Sequence, residues 1–494
     1  RIGFTMKYVG NVQSQANSEV YATASGTLPN GKPVVVNSDG TVSVVASSSI
    51  SQALGSAVVF ESAGTTHLTG AFDSANNRVV FSYRDDGNSG YGTAVVGTVS
   101  GTSISFGTPV VFNSGGVYYT GATFDSNASK VVIVYRNAGN SNYGTAIVGT
   151  VSGTTVSFGT AAVFESATSN FCIPTFDSNS NKVVVAYSDA GNSYYGTAVV
   201  ATVSGTNISF GTPVVFEAGS SQDYGIAFDS NSNKVVIGYK DAGNSNYGTA
   251  IVGTVSGTGI SFGTAVVFHS AGNTYEVSAA FDSNSNKVVI VYRGDGPGAG
   301  KVGGAAIVGT VSGTGISFGS QVVFNSPATY MPRCTFDSNA NKVVIAYKDS
   351  GNSDYSTLIV GTVSGTGISF GSAVVFDQGT SPIFAPVFDS TSNKVVIGYK
   401  DGNNNAYGTG IVFQNASTNT NITTENFVGI TNGAYATGQT ATIQAGGAVN
   451  TLQTGLTAGQ QYFVQTDGTL GLTAADPSVI AGTAVSATDL IVKG

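Results

Sequence analysis

The sequence predicts an all-β protein: a seven-bladed β-propeller closed by an N-terminal strand, plus a small β module made from the two flanks. Three observations predict it. A Phe-Asp pair recurs at Phe72, Phe124, Phe176, Phe228, Phe281, Phe336 and Phe388, at intervals of 52, 52, 52, 53, 55 and 52 residues. Each copy holds four short stretches rich in Val, Ile, Thr, Tyr and Phe, separated by turns rich in Asn, Asp, Ser and Gly. Stretches such as KVVIVYR at 130–136 are apolar almost throughout, which predicts burial on both faces. Four-stranded antiparallel units that repeat at this period and bury both faces pack radially as blades.

In copy two the strands are YTGATFD (119–125), KVVIVYR (130–136), GTAIVGTVSG (144–153) and TVSFGTAAVF (155–164). The intervening DSNAS, NAGNSNY and SGT segments are turns, because Asx and Ser side chains cap backbone N–H groups and Gly and Asn accept positive φ. Copy seven lacks its fourth strand. That strand stands instead before the first copy, as SISQALGSAVVF at 49–60, so the amino end is expected to close the ring and remove exposed sheet edges. The ring then spans 49–414. Residues 1–48 and 415–494 flank it, and they resemble each other: LPNGKPVVVNSDGTV (28–42) and LTAGQQYFVQTDGTL (456–470) share an Asp-Gly-Thr hairpin signal. The flanks are therefore expected to pack together as one small β module, joined to the ring through a linker at QNASTNTNITT (414–424).

Composition excludes several function classes. A net charge of −8 with no basic cluster is a poor footprint for nucleic acid, and no apolar run approaches the roughly 20 residues of a membrane-spanning helix. The first residues, RIGFTMKYVG, lack the apolar core of a signal peptide, and without an initiator Met a processed or truncated start stays open. The only histidines are His67 and His269, with no Ser/His/Asp or His/Cys grouping in the spacing. No catalytic residue, cofactor or metal site is expected. Asp177-Ser-Asn179-Ser-Asn181 and its copies match the first half of a calcium loop, but Lys182 stands where Gly is needed and no Glu closes the loop, so capped turns are the preferred reading. Cys172 and Cys334 fall in copies three and six, too far around the ring for a disulfide, and are expected as free thiols.

The repeat FDSNSNKVVIVYR…GNSNYGTAIVGTVSGT followed by SISFGTPVVF, together with the ending GLTAGQQYFVQTDGTLGLTAADPSVIAGTAVSATDLIVKG, resembles tail-fibre and related virion proteins of tailed bacteriophages. Such repeats also occur in secreted or surface bacterial proteins. The resemblance implies a structural or adhesive protein of the virion or the extracellular space, with no catalytic motif to carry over. Other virion or fibre subunits are the implied partners of the flanking segments, with homo-oligomers included. The DAGNS loops also resemble, in part, the Asp box of sialidase propellers, but its closing Trp is absent from this chain.

The copies are not uniform, and their one variable part suggests a site. Between strand four and the Phe-Asp pair they read ESAGTTHLTGA, NSGGVYYTGAT, ESATSNFCIPT, EAGSSQDYGIA, HSAGNTYEVSAA, NSPATYMPRCT and DQGTSPIFAPV. In an antiparallel meander these connections share one end with the DAGNSNY-type loops, while the copied DSNSN and SGT turns share the other. The ligand-binding candidates are therefore Tyr118, Tyr119, Phe171, Asp223, Tyr224, Tyr275, Glu276, Tyr330, Arg333 and Phe384. Aromatic rings beside hydroxyl, amide and carboxylate groups suit stacking on sugars, so a host-surface glycan or protein is the expected ligand. Drift of exposed loops explains the same variation without a ligand, leaving a purely structural decoration or filament subunit. Asp223 and Glu276 in adjacent copies would suit a glycoside-acting enzyme, the remotest of the three readings. Tyr91, Tyr143, Tyr195, Tyr247, Tyr355 and Tyr407 begin strand three and are expected to pack between blades, with Val302 breaking the series in the irregular loop GDGPGAGKVGG. Arg84, Arg136, Lys240, Arg293, Lys348 and Lys400 end strand two and mostly precede an Asp, which predicts local charge pairs.

Overall fold

A computed structural model describes residues 18–295, 302–326, 328–380, 383–475 and 477–493, so most of the irregular GDGPGAGKVGG loop lies outside the described residues. The chain divides into two compact units, one of Gln52–Asn415 and one that combines the two flanks. Strands dominate both, the only helices among the described residues are single 3₁₀ turns, and no helix is long and apolar enough to cross a membrane. The architecture is all-β and propeller-like.

Every Phe-Asp copy folds as a four-stranded antiparallel meander. In copy two, the half-strand ending at Asp125 pairs with Lys130–Asn137, which pairs with Tyr143–Ser152, which pairs with Thr155–Phe158. The second strand is the core. Val131 to Tyr135 are all fully buried, as are their counterparts in the other copies, so the continuous apolar run does bury both faces. Each of these strands ends in a buried tyrosine: Tyr83, Tyr135, Tyr187, Tyr239, Tyr292, Tyr347 and Tyr399. Against it lies the phenylalanine of strand four; the Phe164 ring meets Tyr187 at 5.1 Å and Phe210 at 5.8 Å. That seat requires glycine opposite it, because a Cβ on Gly144 would stand 2.4 Å from the Phe164 ring.

The copied turns close as their chemistry predicts. In DSNSN the Asp177 carboxylate accepts the N–H groups of Asn179 (2.9 Å) and Ser180 (3.0 Å), and Asn181 takes φ 55°. The variable segments of copies one to four correct the expectation of exposed loops, whereas those of copies five to seven are each split into two strands. Val110–Asp125 is one unbroken 16-residue strand: its first half extends the outer edge of copy one, beside Tyr91–Ala94, and its second half becomes the inner strand of copy two. Ala162–Asp177 and Val214–Asp229 do the same. A chain that hydrogen-bonds continuously to two successive sheets needs no loop between them, only a bend, and a β-bulge between Tyr118 and Gly121 supplies it.

The amino end joins copy seven. Leu54 pairs with Phe413, and Val58 to Gly64 pair with Gly410 to Tyr407, so the segment before the first copy completes the last meander. Inner strands of successive copies touch, and that of copy seven touches that of copy one.

In the flanking unit, strands from both ends of the chain share a five-stranded sheet: Glu19–Thr23 pairs with Thr440–Gln444, and Pro33–Val36 pairs with Phe427–Thr431. A second five-stranded sheet follows from Val449 to Val492. The two Asp-Gly-Thr signals build the same hairpin turn. Thr41 N–H donates to Asp39 (3.0 Å) around Gly40 at φ 82°, and Thr469 N–H donates to Asp467 (2.9 Å) around Gly468 at φ 79°.

The pairing of copy seven yields a stability test. Phe60, from the amino end, packs on Tyr83 (5.3 Å) and Phe106 (5.2 Å) as Phe164 packs on its own partners. Phe60→Ala should therefore destabilise the ring unit as much as Phe164→Ala, by about 3–5 kcal/mol each. Thermal or denaturant unfolding of both variants checks this; a near-native Phe60→Ala variant would show the amino-terminal strand to be dispensable.

Candidate functional site

The variable end is organised by the bulge. In copies one to six the bulge residue has a positive φ: His67, Tyr119, Phe171, Asp223, Glu276 and Met331 all lie between 50° and 55°. A left-handed residue that is not glycine is costly, so six in equivalent places mark a built feature. Successive bulges are linked across copies, with Tyr119 N–H donating to His67 Nδ1 (3.2 Å) and Met331 N–H donating to Glu276 Oε2 (2.7 Å).

Aligning the copies on this residue sorts the sequence candidates into columns. The residue before the bulge is Thr66, Tyr118, Asn170, Gln222, Tyr275 or Tyr330, directly across the ladder from a cation near the end of strand two, except in copy three, where Asn170 faces Ser188. The bulge column holds Tyr119, Phe171, Asp223 and Glu276, all half-buried. The residue after the bulge is Leu68, Thr120, Cys172, Tyr224, Val277 or Pro332, and Phe384 is its counterpart in copy seven. This last column faces the core. Tyr224 is 5% exposed, its hydroxyl bonded to Ser221 Oγ (2.6 Å), and Phe384 is 3% exposed. Both are corrected from face residues to core residues, because strand alternation turns them inward. Arg333 lies one place further on and donates to the Pro332 carbonyl (2.9 Å).

The first column forms two shelves in which cations and rings alternate. In copies one and two, the Arg84 and Arg136 guanidinium groups stand 4.5 Å and 4.4 Å from the Tyr118 ring, and Arg136 also lies 5.0 Å from Tyr119. Tyr119 continues onto Phe171 at 4.8 Å and onto the edge of His67 at 5.4 Å. In copies four to six the order is Lys240, Tyr275, Arg293, Tyr330, Lys348, with spacings of 4.8, 4.5, 4.6 and 5.2 Å. Stacked cations of this kind are held in place and lose little freedom when a ligand arrives. The sequence pointed to these tyrosines and cations separately and missed their interleaving.

The expected charge pairs are also corrected. Arg84 pairs with Asp86 (2.7 Å) rather than Asp85, Lys348 with Asp354 (3.2 Å) rather than Asp349, and Arg293 with Glu276 (3.2 Å). The Asp that closes strand two is engaged elsewhere: Asp85 accepts Asn88 N–H, Asp189 accepts Gly191 N–H and Asp241 accepts Asn244 N–H, capping the loop. Glu276, shielded from water, is raised above the usual carboxylate range by that burial, against the pull of Arg293. His67 is lowered to about 4, first by burial and then by Arg84 and Arg136, so its ring is neutral where it accepts from Tyr119. The strand-three tyrosines 91, 143, 195, 247, 355 and 407 are half-buried.

Carboxylates that the sequence reading passed over meet at the joints between copies. Glu61 faces Asp85, Glu165 faces Asp189, Glu217 faces Asp241 and Asp377 faces Asp401, and three of the glutamates accept a buried tyrosine hydroxyl, as Glu165 does from Tyr187 at 3.1 Å. The signal was present in the polar residue that follows each VVF. At the opposite end, an uncharged open hollow of about 460 Å³ is lined by Thr123, Thr175 and the Phe-Asp phenylalanines from Phe124 to Phe336. Both cysteines are free; the Cys172 thiol is pushed up to about 12 and that of Cys334 to about 11, each chiefly by burial.

No protein-family model and no curated protein sequence matches the chain. Among solved structures, the BP39L lectin from Burkholderia pseudomallei superposes with a TM-score of 0.53 at 8% identity, over 74% of this chain and 99% of the lectin. At that identity the likeness is one of fold, β-propeller-like in both. Sqt1 from Chaetomium thermophilum matches at a TM-score of 0.43 and 11% identity, over 73% of this chain and all of that one.

Two predictions follow from the buried groups. Glu165 is raised by burial and by Asp189, so its ionised form opposes folding at every pH above its raised value, and that penalty vanishes below the ordinary carboxylate range. Glu165→Gln keeps an acceptor for Tyr187 and should raise the unfolding free energy at pH 8, by less than about 1 kcal/mol after screening, with the gain disappearing near pH 4. A gain that is flat with pH would contradict the charge origin. Cys172, which is 4% exposed, should react with a thiol reagent only as fast as the ring unit unfolds, and more slowly than the half-buried Cys334 beside the open hollow; fast native labelling of Cys172 would contradict its burial.

Proposed function

We propose that this protein is a non-enzymatic binding protein of phage-fibre type. Its seven meanders form a propeller closed by the N-terminal strand, and the bulge-lined end binds carbohydrate on a host surface. The observation that carries the reading is the pair of cation–tyrosine shelves. One scaffold position holds Tyr118, Tyr275 and Tyr330 in three copies and Thr66, Asn170 and Gln222 in others, so an otherwise repetitive ring presents distinct side chains at each step. Flat rings beside fixed donors are what a sugar needs for stacking and hydroxyl recognition. The fold shared with a lectin is in keeping with this. Ring closure is supported by the pairing of Leu54 with Phe413 and by contact between the inner strands of copies seven and one. A non-enzymatic role is supported by Glu276, whose carboxylate is tied to Arg293 and to Met331 N–H. A virion or extracellular setting, with the flanking unit joining other fibre subunits, rests on the sequence resemblance.

Binding of the full chain to host-surface polysaccharide tests the reading. Tyr275→Ala and Tyr330→Ala should each weaken binding by roughly 1 kcal/mol or more, the scale of a lost aromatic contact. Asn231→Ala, in an exposed copied turn at the other end, should leave it unchanged. Equal losses from both ends, or from neither, at matched fold stability would return the variable end to drift and favour a purely structural subunit.

A further inference from the structure

The seven copies act as controls for one another, and one of them stands apart in its charge. At the end of strand two the copies carry Asp85, Asn137, Asp189, Asp241, Gly294 with Asp295 one place on, Asp349 and Asp401. At the facing joint position they carry Glu61, Asn113, Glu165, Glu217, His269, Asn325 and Asp377. Copy two alone has lost both acids. There, Asn113 Nδ2 donates to Asn137 Oδ1 (3.4 Å), keeping the shape of the joint without its charge. The cation beside this joint is Arg136. Its Nη1 is held by Asn170 Oδ1 (2.7 Å), its guanidinium lies against Tyr118 and Tyr119, and among the described residues it takes part in no ion pair. The other two arginines of the shelves are each neutralised, Arg84 by Asp86 and Arg293 by Glu276.

Removing both local carboxylates raises the potential around Arg136 in a chain whose net charge is −8. His67, next along the shelf, registers that potential: Arg84 and Arg136 both hold it towards its neutral form, on top of burial. A guanidinium fixed by an amide and two rings, with no counter-charge from its own protein, is set to receive an anion. Beside it is the Tyr119 ring, with Phe171 a further 4.8 Å on, both half-buried, and the pair suits the face of a pyranose. In copies four to six Arg293 and Lys348 are paired, and Lys240, in no ion pair among the described residues, keeps Asp241 and Glu217 at its joint, so that shelf suits neutral sugars instead.

Resting on the carbohydrate reading above, we infer that the shelf around Arg136 binds the carboxylate of an acidic sugar, a uronic acid within a surface polysaccharide, with its ring against Tyr119 and Phe171. The chemistry asks for a singly charged carboxylate beside an apolar sugar face.

The test is calorimetric titration of the full chain with trigalacturonic acid, its methyl ester and the neutral galactose trimer. The acid should bind at least about tenfold more tightly than the ester, as expected for a charged hydrogen bond, and should weaken as salt is raised. Asn137→Asp restores the residue that five other copies carry at this place, so the fold is expected to survive; it should weaken acid binding several-fold and leave the neutral trimer unaffected. Arg136→Gln, checked for an unchanged melting temperature, should abolish the preference for acid over ester. Equal affinity for acid and ester, or an Asn137→Asp variant that binds the acid as the parent does, overturns the inference. If the neutral trimer binds and the acid does not, the inference falls and the carbohydrate reading stands; if no probe and no host polysaccharide binds, both fall.

Discussion

The ring unit depends on one constraint: strand two of every copy is apolar on both faces and cannot be satisfied by its own sheet alone. Val183 to Tyr187 have nothing in copy three to cover their second face, and they find it in the side chains of copies two and four. The same holds for each copy, so the demand for a neighbour on either side propagates until the chain meets its own beginning. The mixed pairing of copy seven follows from it. With the fourth strand supplied by residues 53–64, the last sheet covers its neighbours as the others do.

The passage between sheets explains why one part of the repeat is free to vary. In copies one to four a single strand leaves the outer edge of one copy and becomes the inner strand of the next, and its pairing with both sheets is made by backbone. The bend needs a bulge but is indifferent to the side chain on it, as His67, Tyr119, Phe171, Asp223, Glu276 and Met331 demonstrate. The turns at the other end have no such freedom. There the aspartate cap and the left-handed Asn or Ser are the turn itself, which is why DSNSN is copied so faithfully.

Much of this could be read from the amino acids. The period, the four strands, the buried run KVVIVYR, the displaced fourth strand and both Asp-Gly-Thr hairpins all follow from local rules, in which a short stretch carries its own instruction. The site was legible only in part. Tyr118, Tyr119, Tyr275, Glu276 and Tyr330 lie where the variable segments indicated, but Tyr224 and Phe384 do not. A one-place difference along a strand reverses the direction of a side chain, and segments of unequal length leave that place undefined until the bulge is located. Column alignment would have placed Tyr224 beside Cys172 and predicted its burial. The cation–tyrosine shelves were harder to foresee, since contacts within a copy alternate with contacts between residues 34–37 positions apart in adjacent copies, and the charges seemed better matched to the acid next in sequence.

The account holds that one end of the ring recognises a ligand and the other only closes the fold. Hydrogen–deuterium exchange of the full chain with and without host polysaccharide tests that division most directly. The account predicts added protection in the bulge segments around Tyr118–Thr120 and Tyr275–Val277 and in the loops after strand two, with the DSNSN turns unchanged. Protection confined to the copied turns or to the flanking unit would contradict it.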